Sequence, residues 1–109
     1  MRTNGRQTNL DLEELIARIE DNAPGYPTCL LLNEVGEICL KAKENQKGEE
    51  FLVENLGHQE KMRQAVAFCW LTVINEKTQR HTELLANYRS NPANAEIVQK
   101  VEEGLAQFR

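Results

Sequence analysis

The chain has 109 residues, a length that allows one domain of ordinary size. Its hydrophobic fraction of 40% and charged fraction of 28% are typical of a folded globular chain. The 17 acidic residues outnumber the 13 Lys and Arg residues and give a net charge of −4. This balance argues against a generic nucleic-acid binder and against docking on anionic membranes.

The cysteines and the N-terminus indicate a reducing compartment. Three cysteines, Cys29, Cys39 and Cys69, occur without a CxxC pair. An odd count argues against a disulfide framework, and a zinc site would show close Cys or His pairs. The polar first nine residues lack the apolar core of a signal peptide, and no apolar run approaches the roughly 20 residues of a membrane span. We therefore expect a cytoplasmic protein with free thiols, no metal and no cofactor.

Helical spacing of apolar residues dominates the rest of the chain. The predicted helices lie at about 10–21, 27–43, 49–56, 59–75, 79–89 and 92–107, after a flexible tail at 1–9. Breaks occur at "NAPGYP" (22–27), "ENQKG" (44–48) and "SNP" (90–92), where proline, glycine and asparagine favour turns and caps. Gly36 falls inside the second helix, where close approach of another helix would explain it.

The fourth predicted helix is apolar on almost every side. Within "HQEKMRQAVAFCWLTVINEK" (58–77), every position from Ala65 to Ile74 except Thr72 is apolar. The first and sixth helices carry only narrow apolar stripes, the latter ending at Phe108. A helix that packs against neighbours on several sides has apolar residues around most of its circumference. We therefore expect the fourth helix to lie in the middle of the molecule.

A repeated motif suggests how the helices are arranged. "EELIARI" (13–19), "EEFLVENL" (49–56) and "TELLANY" (82–88) start about 36 and 33 residues apart, in the range of two-helix repeats. We predict an all-α fold of three antiparallel helix pairs stacked as a short solenoid within one domain, 10–109. Its units would be about 10–44, 48–75 and 79–108, with the narrow stripes of the end helices capping a complete array. A buried helix at the centre of a globular bundle would give a similar pattern.

The middle unit resembles HEAT-like repeats, including the short bacterial type of phycobiliprotein-lyase-like proteins. The resemblance lies in "EKMRQAVAFCWLTVI" (60–74), with its apolar-Arg pair Met62 and Arg63, a small-residue stretch and closing apolar positions. The chain departs from the family in two ways. The family has an Asp near the start of the second helix, where this chain has His58 and Gln59. The other two units lack an Arg at the position that matches Arg63. The resemblance implies a right-handed α-solenoid whose second helices line a concave surface for protein recognition.

No constellation of residues indicates catalysis. The adjacent Glu pairs at 13–14, 49–50 and 102–103 point about 100° apart on a helix and do not converge. His58 and His81 lie near helix starts without a nucleophile beside them, and Cys69 sits in an apolar stretch that disfavours the thiolate. No phosphate-binding glycine motif is present. We expect no catalytic residues and no enzyme activity.

Two residues allow two interpretations each. Arg63 is expected either to bind a neighbouring loop carboxylate within the chain or to contact a partner on the concave face. Trp70 is expected either to pack between repeats or to form a binding platform, since Trp is enriched at interface hot spots.

The sequence therefore predicts a non-catalytic interaction or adaptor module for a protein partner with a basic surface. The candidate partner-binding residues are Asn33, Glu37, Lys41, Glu60, Arg63 and Gln64, with Gln99 and Glu103 given lower weight. One alternative is a HEAT-like nucleic-acid-binding or base-modifying module, which the acidic residues around the few lysines disfavour. Another is a self-associating subunit, a homo-oligomer with a small-molecule cleft, suggested by the excess of apolar residues on the second helix.

Overall fold

The computed structural model describes residues 7–21, 26–42 and 45–108, and all regular structure within them is helical. The helices are α1 (Gln7–Asp21), α2 (Tyr26–Lys41), α3 (Gln46–Leu56), α4 (Lys61–Thr78), α5 (Thr82–Ser90) and α6 (Ala95–Phe108). A 3₁₀ turn, Pro92–Asn94, leads into α6. The all-α prediction and its six helices are confirmed for this part of the chain.

Local hydrogen bonds place the helix ends, and some differ from the prediction by several residues. The Asn45 side chain accepts a 3.1 Å hydrogen bond from the Gly48 N–H, so α3 begins at Gln46 and not at Glu49. At the end of α4, Gln79 adopts a left-handed conformation with φ of 59° and separates α4 from α5. Asn91 accepts a 3.0 Å bond from Ala93 N–H and caps the turn before α6, as predicted.

Three parts of the sequence prediction lie outside the described residues. They are most of the N-terminal tail (1–6), the break at 22–25, and residues 43–44 at the predicted end of the second helix. Residues 7–9, predicted as tail, form the start of α1. No helix in the described ranges combines the length and apolar character needed to cross a membrane.

The apolar helix α4 lies at the centre of the fold, as its composition predicts. It contacts α2, α3, α5 and α6, whereas α1 packs on α2. Phe68, Leu71 and Ile74 of α4 are at most 1% exposed and join a core that extends from Leu12 to Tyr88. The one polar residue in the apolar run, Thr72, donates a 2.8 Å hydrogen bond to the Phe68 carbonyl oxygen, which satisfies its buried hydroxyl.

The contact between α2 and α4 depends on a glycine. A Cβ atom at Gly36 would lie 2.2 Å from ring atoms of Trp70, so only glycine lets the indole pack there. Trp70 Nε1 donates a 2.7 Å hydrogen bond to Oδ1 of Asn33, which lies one turn before Gly36 on α2. The close approach expected at Gly36 is therefore present, and Trp70 is the side chain that uses it.

Candidate interaction surfaces

The predicted partner-binding residues divide into two groups. Asn33, Glu37 and Lys41 follow one another at four-residue intervals on α2, and all three are exposed. We call them the α2 stripe. Glu60, Arg63 and Gln64 lie at the start of α4 and take part in intramolecular contacts. The two groups differ in exposure: the α2 stripe faces solvent, whereas Arg63 is buried and Glu60 and Gln64 are half-buried.

A groove between α1 and α2 lies along the α2 stripe. It has a volume of about 420 Å³, and we call it the acidic groove. Its charged lining residues are Glu14, Arg18, Glu34, Glu37 and Lys41. Glu14 and Arg18 pair with each other at 2.7 Å. Within the described residues Glu34, Glu37 and Lys41 have no ion-pair partner within 4.0 Å, so their charges face solvent.

Arg63 connects α4 to the end of α1. Its Nη2 donates a 2.8 Å hydrogen bond to the carbonyl oxygen of Ile19, in the last turn of α1, where a cation is favourable. The side chain is only 10% exposed, and its Nε lies 3.6 Å from Glu60 Oε1. This is the intramolecular use of Arg63 that the sequence allowed, with a backbone carbonyl in place of the expected loop carboxylate.

Gln64 belongs to the same internal network. Its side-chain amide donates to the His58 carbonyl oxygen, and its Oε1 accepts a 3.0 Å bond from the Tyr88 hydroxyl. His58 Nδ1 accepts a 3.0 Å bond from the Glu60 N–H, just before α4. These bonds order the α3–α4 connection and tie it to α5.

A carboxylate whose burial was not predicted from the sequence joins α3 to the α4–α5 connection. Glu49 is 4% exposed; it accepts hydrogen bonds from the Arg80 guanidinium and lies 2.7 Å from His81 Nε2. Burial alone raises the pKa of Glu49, but the bonds from Arg80 and His81 outweigh burial and hold the pKa below its usual value. The charged residues come from distant parts of the chain, so no local spacing in the sequence indicates this cluster.

The buried thiols remain protonated at neutral pH. Burial, with a smaller contribution from the Glu49 carboxylate, raises the pKa of Cys39 to about 12. Burial also raises the pKa of Cys29, assisted by Glu60 and opposed by Arg63. Neither thiol is therefore activated as a nucleophile. Cys69, on α4, is half-buried.

A second recess lies on another part of the surface, between α4, α6 and the end of α2. It has a volume of about 460 Å³, and we call it the α4–α6 cleft. Trp70 lines it, so this residue both packs on Gly36 and forms a cleft wall. Phe108 also lines the cleft, yet it is 90% exposed. The sequence predicts this residue on the apolar stripe of α6.

Neither geometry nor comparison identifies a chemical activity. Within the described residues, no group of three or more His, Cys, Asp and Glu side chains is arranged to hold a metal ion. Comparisons with family models, with curated proteins and with solved structures found no match for this chain.

Proposed function

We propose that this chain is a non-catalytic protein-interaction module that binds a basic segment of a partner along the α2 stripe and the acidic groove. The observation that carries the proposal is the pair Glu34 and Glu37. Both carboxylates are exposed on the groove wall, and neither has an ion-pair partner within 4.0 Å among the described residues. Arg63 and Gln64 support the fold in this proposal and are not part of the binding surface.

The two carboxylates provide a physical reason for binding a cationic side chain. Residues three apart on a helix lie on the same face, so Glu34 and Glu37 repel each other in the free protein. A Lys or Arg side chain between them relieves that repulsion and forms charge-assisted hydrogen bonds. Because both carboxylates are exposed, each contact contributes little, and binding weakens as salt screens the charges.

We further propose that the helices form three antiparallel pairs stacked as a short right-handed solenoid of the HEAT-like kind. Support comes from α2, α4 and α6, which contact one another in series as the second helices of stacked pairs do. Gly36 of α2 lies at Trp70 of α4. Leu40 near the end of α2, and Ala42 just after it, line a pocket with Ile74 and Thr78, so α2 and α4 run in the same direction. We place this module in the cytoplasm because Cys29 and Cys39 are buried thiols outside any disulfide.

The nucleic-acid alternative receives less support. A phosphate backbone needs a concentration of Lys and Arg side chains. The acidic groove instead presents Glu14, Glu34 and Glu37 against Arg18 and Lys41, and one of those cations is already paired with Glu14.

Binding of a fluorescein-labelled peptide of alternating Lys and Ala, followed by anisotropy at 20 to 300 mM NaCl, tests the proposal. We expect saturable binding that weakens with salt and falls at least tenfold in the double variant Glu34→Gln, Glu37→Gln. The matched control is Glu54→Gln, Glu83→Gln, which removes two exposed carboxylates from α3 and α5. An equal loss in both double variants would mean that the peptide responds to net charge alone, and the proposed site would be wrong.

A further inference from the structure

The α4–α6 cleft is an apolar recess built by three helices. Leu40 comes from α2, Trp70 and Val73 come from α4, and Gly104, Leu105 and Phe108 come from α6. The stripe of α6 packs on the core at Ile97, Val98 and Val101, but its C-terminal half faces the cleft. An apolar face left open in this way marks an interaction site.

The exposure of Phe108 favours a macromolecular occupant. A small molecule inside the recess would leave the outer face of this ring, now 90% exposed, in water. A protein surface laid across the cleft covers the ring and the recess together, and large aromatic side chains in such positions contribute strongly to protein interfaces.

Gly104 points to a close contact from outside the chain. Glycine weakens a helix interior relative to alanine. At Gly36 the Trp70 ring accounts for the glycine, but a Cβ atom at Gly104 would have no neighbouring atom within 4 Å. The fold described here therefore does not require glycine at position 104, whereas a helix crossing α6 at that point would.

Two lysines lie at or near the cleft, and an exposed carboxylate lies on α6. Lys100 lines the cleft and pairs with Glu96 at 3.6 Å. Lys77, one turn after Val73, has no carboxylate within 4.0 Å among the described residues. Glu103, next to Gly104 in the sequence, is exposed; it accepts a 3.2 Å hydrogen bond from the Gln99 side chain and makes no ion pair within the same part of the chain.

We propose that the occupant is a second copy of this chain. Phe108 of each copy enters the cleft of the other beside Trp70, the two α6 helices cross at Gly104, and Glu103 of each copy faces the lysines of the other. The same patch supplies the aromatic side chain and its recess, and both signs of charge, as a twofold interface requires. This surface is distinct from the acidic groove, so the inference stands independently of the proposed function.

Sedimentation velocity from 2 to 500 μM tests the proposal on the full chain. We expect the mass to double with concentration, accompanied by a blue shift in the emission of Trp70, the one Trp in the sequence. Phe108→Gln should weaken association at least tenfold. The matched control, Met62→Gln, removes an apolar side chain that is 46% exposed near the start of α4 and should associate as the wild type does.

A second variant tests the crossing point. Gly104→Ala should raise the melting temperature of the monomer at low concentration and weaken association, because the added methyl group separates the two helices. Maleimide labelling of Cys69, which lines the cleft, should slow as the dimer forms. A monomer at 500 μM, a dimer equally strong in Phe108→Gln, or an assembly that keeps growing beyond two copies would each overturn the proposal.

Discussion

At the scale of single residues, Trp70 can pack on α2 only because position 36 carries no side chain. The indole ring occupies the space that a Cβ atom at position 36 would need. It is held there by its hydrogen bond to Asn33. The sequence indicated that Gly36 marks a close helix contact, but it did not indicate which side chain would fill the space.

Replacing Gly36 with alanine therefore should destabilise the protein even though alanine favours helix. Overpacking costs about 1–3 kcal/mol and the gain in helix propensity is about 1 kcal/mol. We expect a net loss of up to about 2 kcal/mol in the free energy of unfolding, measured by urea titration, with a shift in Trp70 emission. Gly104→Ala at low concentration is the control and should be stabilising, because a Cβ atom there meets no neighbouring atom. A stabilising Gly36→Ala would contradict the packing described.

The ionisation of Glu49 contributes to the stability of the fold. Its folded-state pKa lies below the unfolded value because Arg80 and His81 bind the carboxylate. The stabilisation is therefore complete above the unfolded pKa of about 4.3 and is lost as the pH falls through the lower folded pKa.

Glu49→Gln should cost about 1–3 kcal/mol in the free energy of unfolding at pH 7, since two partners lose a charged acceptor. The difference from the wild type should shrink as the pH falls below 4. Urea unfolding between pH 3 and 7 measures it, with the exposed Glu50→Gln as control. A difference that stays constant across this range would show that Glu49 does not stabilise through its charge.

At the scale of helices, periodicity and turn residues were sufficient to predict six helices and the central place of α4. Helix ends were less predictable, because side-chain hydrogen bonds decide them. Asn45 extends α3 backwards by capping it. Asn75 Oδ1 accepts a 2.8 Å bond from the His81 N–H, which orders the connection so that α5 begins at Thr82 and not at Gln79.

The same limit applies to the candidate site. The exposed positions of Asn33, Glu37 and Lys41 follow from helical spacing alone. Arg63 follows the same kind of spacing, but its surroundings depend on α1, whose last turn supplies the carbonyl of Ile19. Periodicity shows which face of a helix is polar; it does not show which distant element covers that face.

Arg63 should consequently be a stability residue. Arg63→Met should lower the free energy of unfolding by about 3 kcal/mol, because Glu60 is left largely buried without its cation. Adding Glu60→Gln should recover part of this loss, with Glu60→Gln alone as the reference. Urea unfolding of the four proteins gives the coupling between the two residues. An Arg63→Met variant as stable as the wild type would contradict this, because it would show that the guanidinium does not stabilise the fold.

At the scale of the whole molecule, which extends 48 × 31 × 24 Å, the described residues present two chemically different surfaces. The acidic groove lies between α1 and α2, and the apolar α4–α6 cleft lies beside the ends of α2 and α6. The central helix α4 supports the arrangement by packing on α2 and α6. Partner binding in the groove and association through the cleft can therefore occur on one molecule.

The most direct measurement is an NMR titration of ¹⁵N-labelled protein with the Lys/Ala peptide at low salt. We expect amide shifts to cluster on α1 and α2 around Glu34 and Glu37, while the amide signals of Gly104 and Leu105 in the cleft stay unchanged at constant protein concentration. Shifts spread evenly over the acidic surface, or centred on the start of α4 near Glu60, would contradict the assignment of the acidic groove as the partner-binding site.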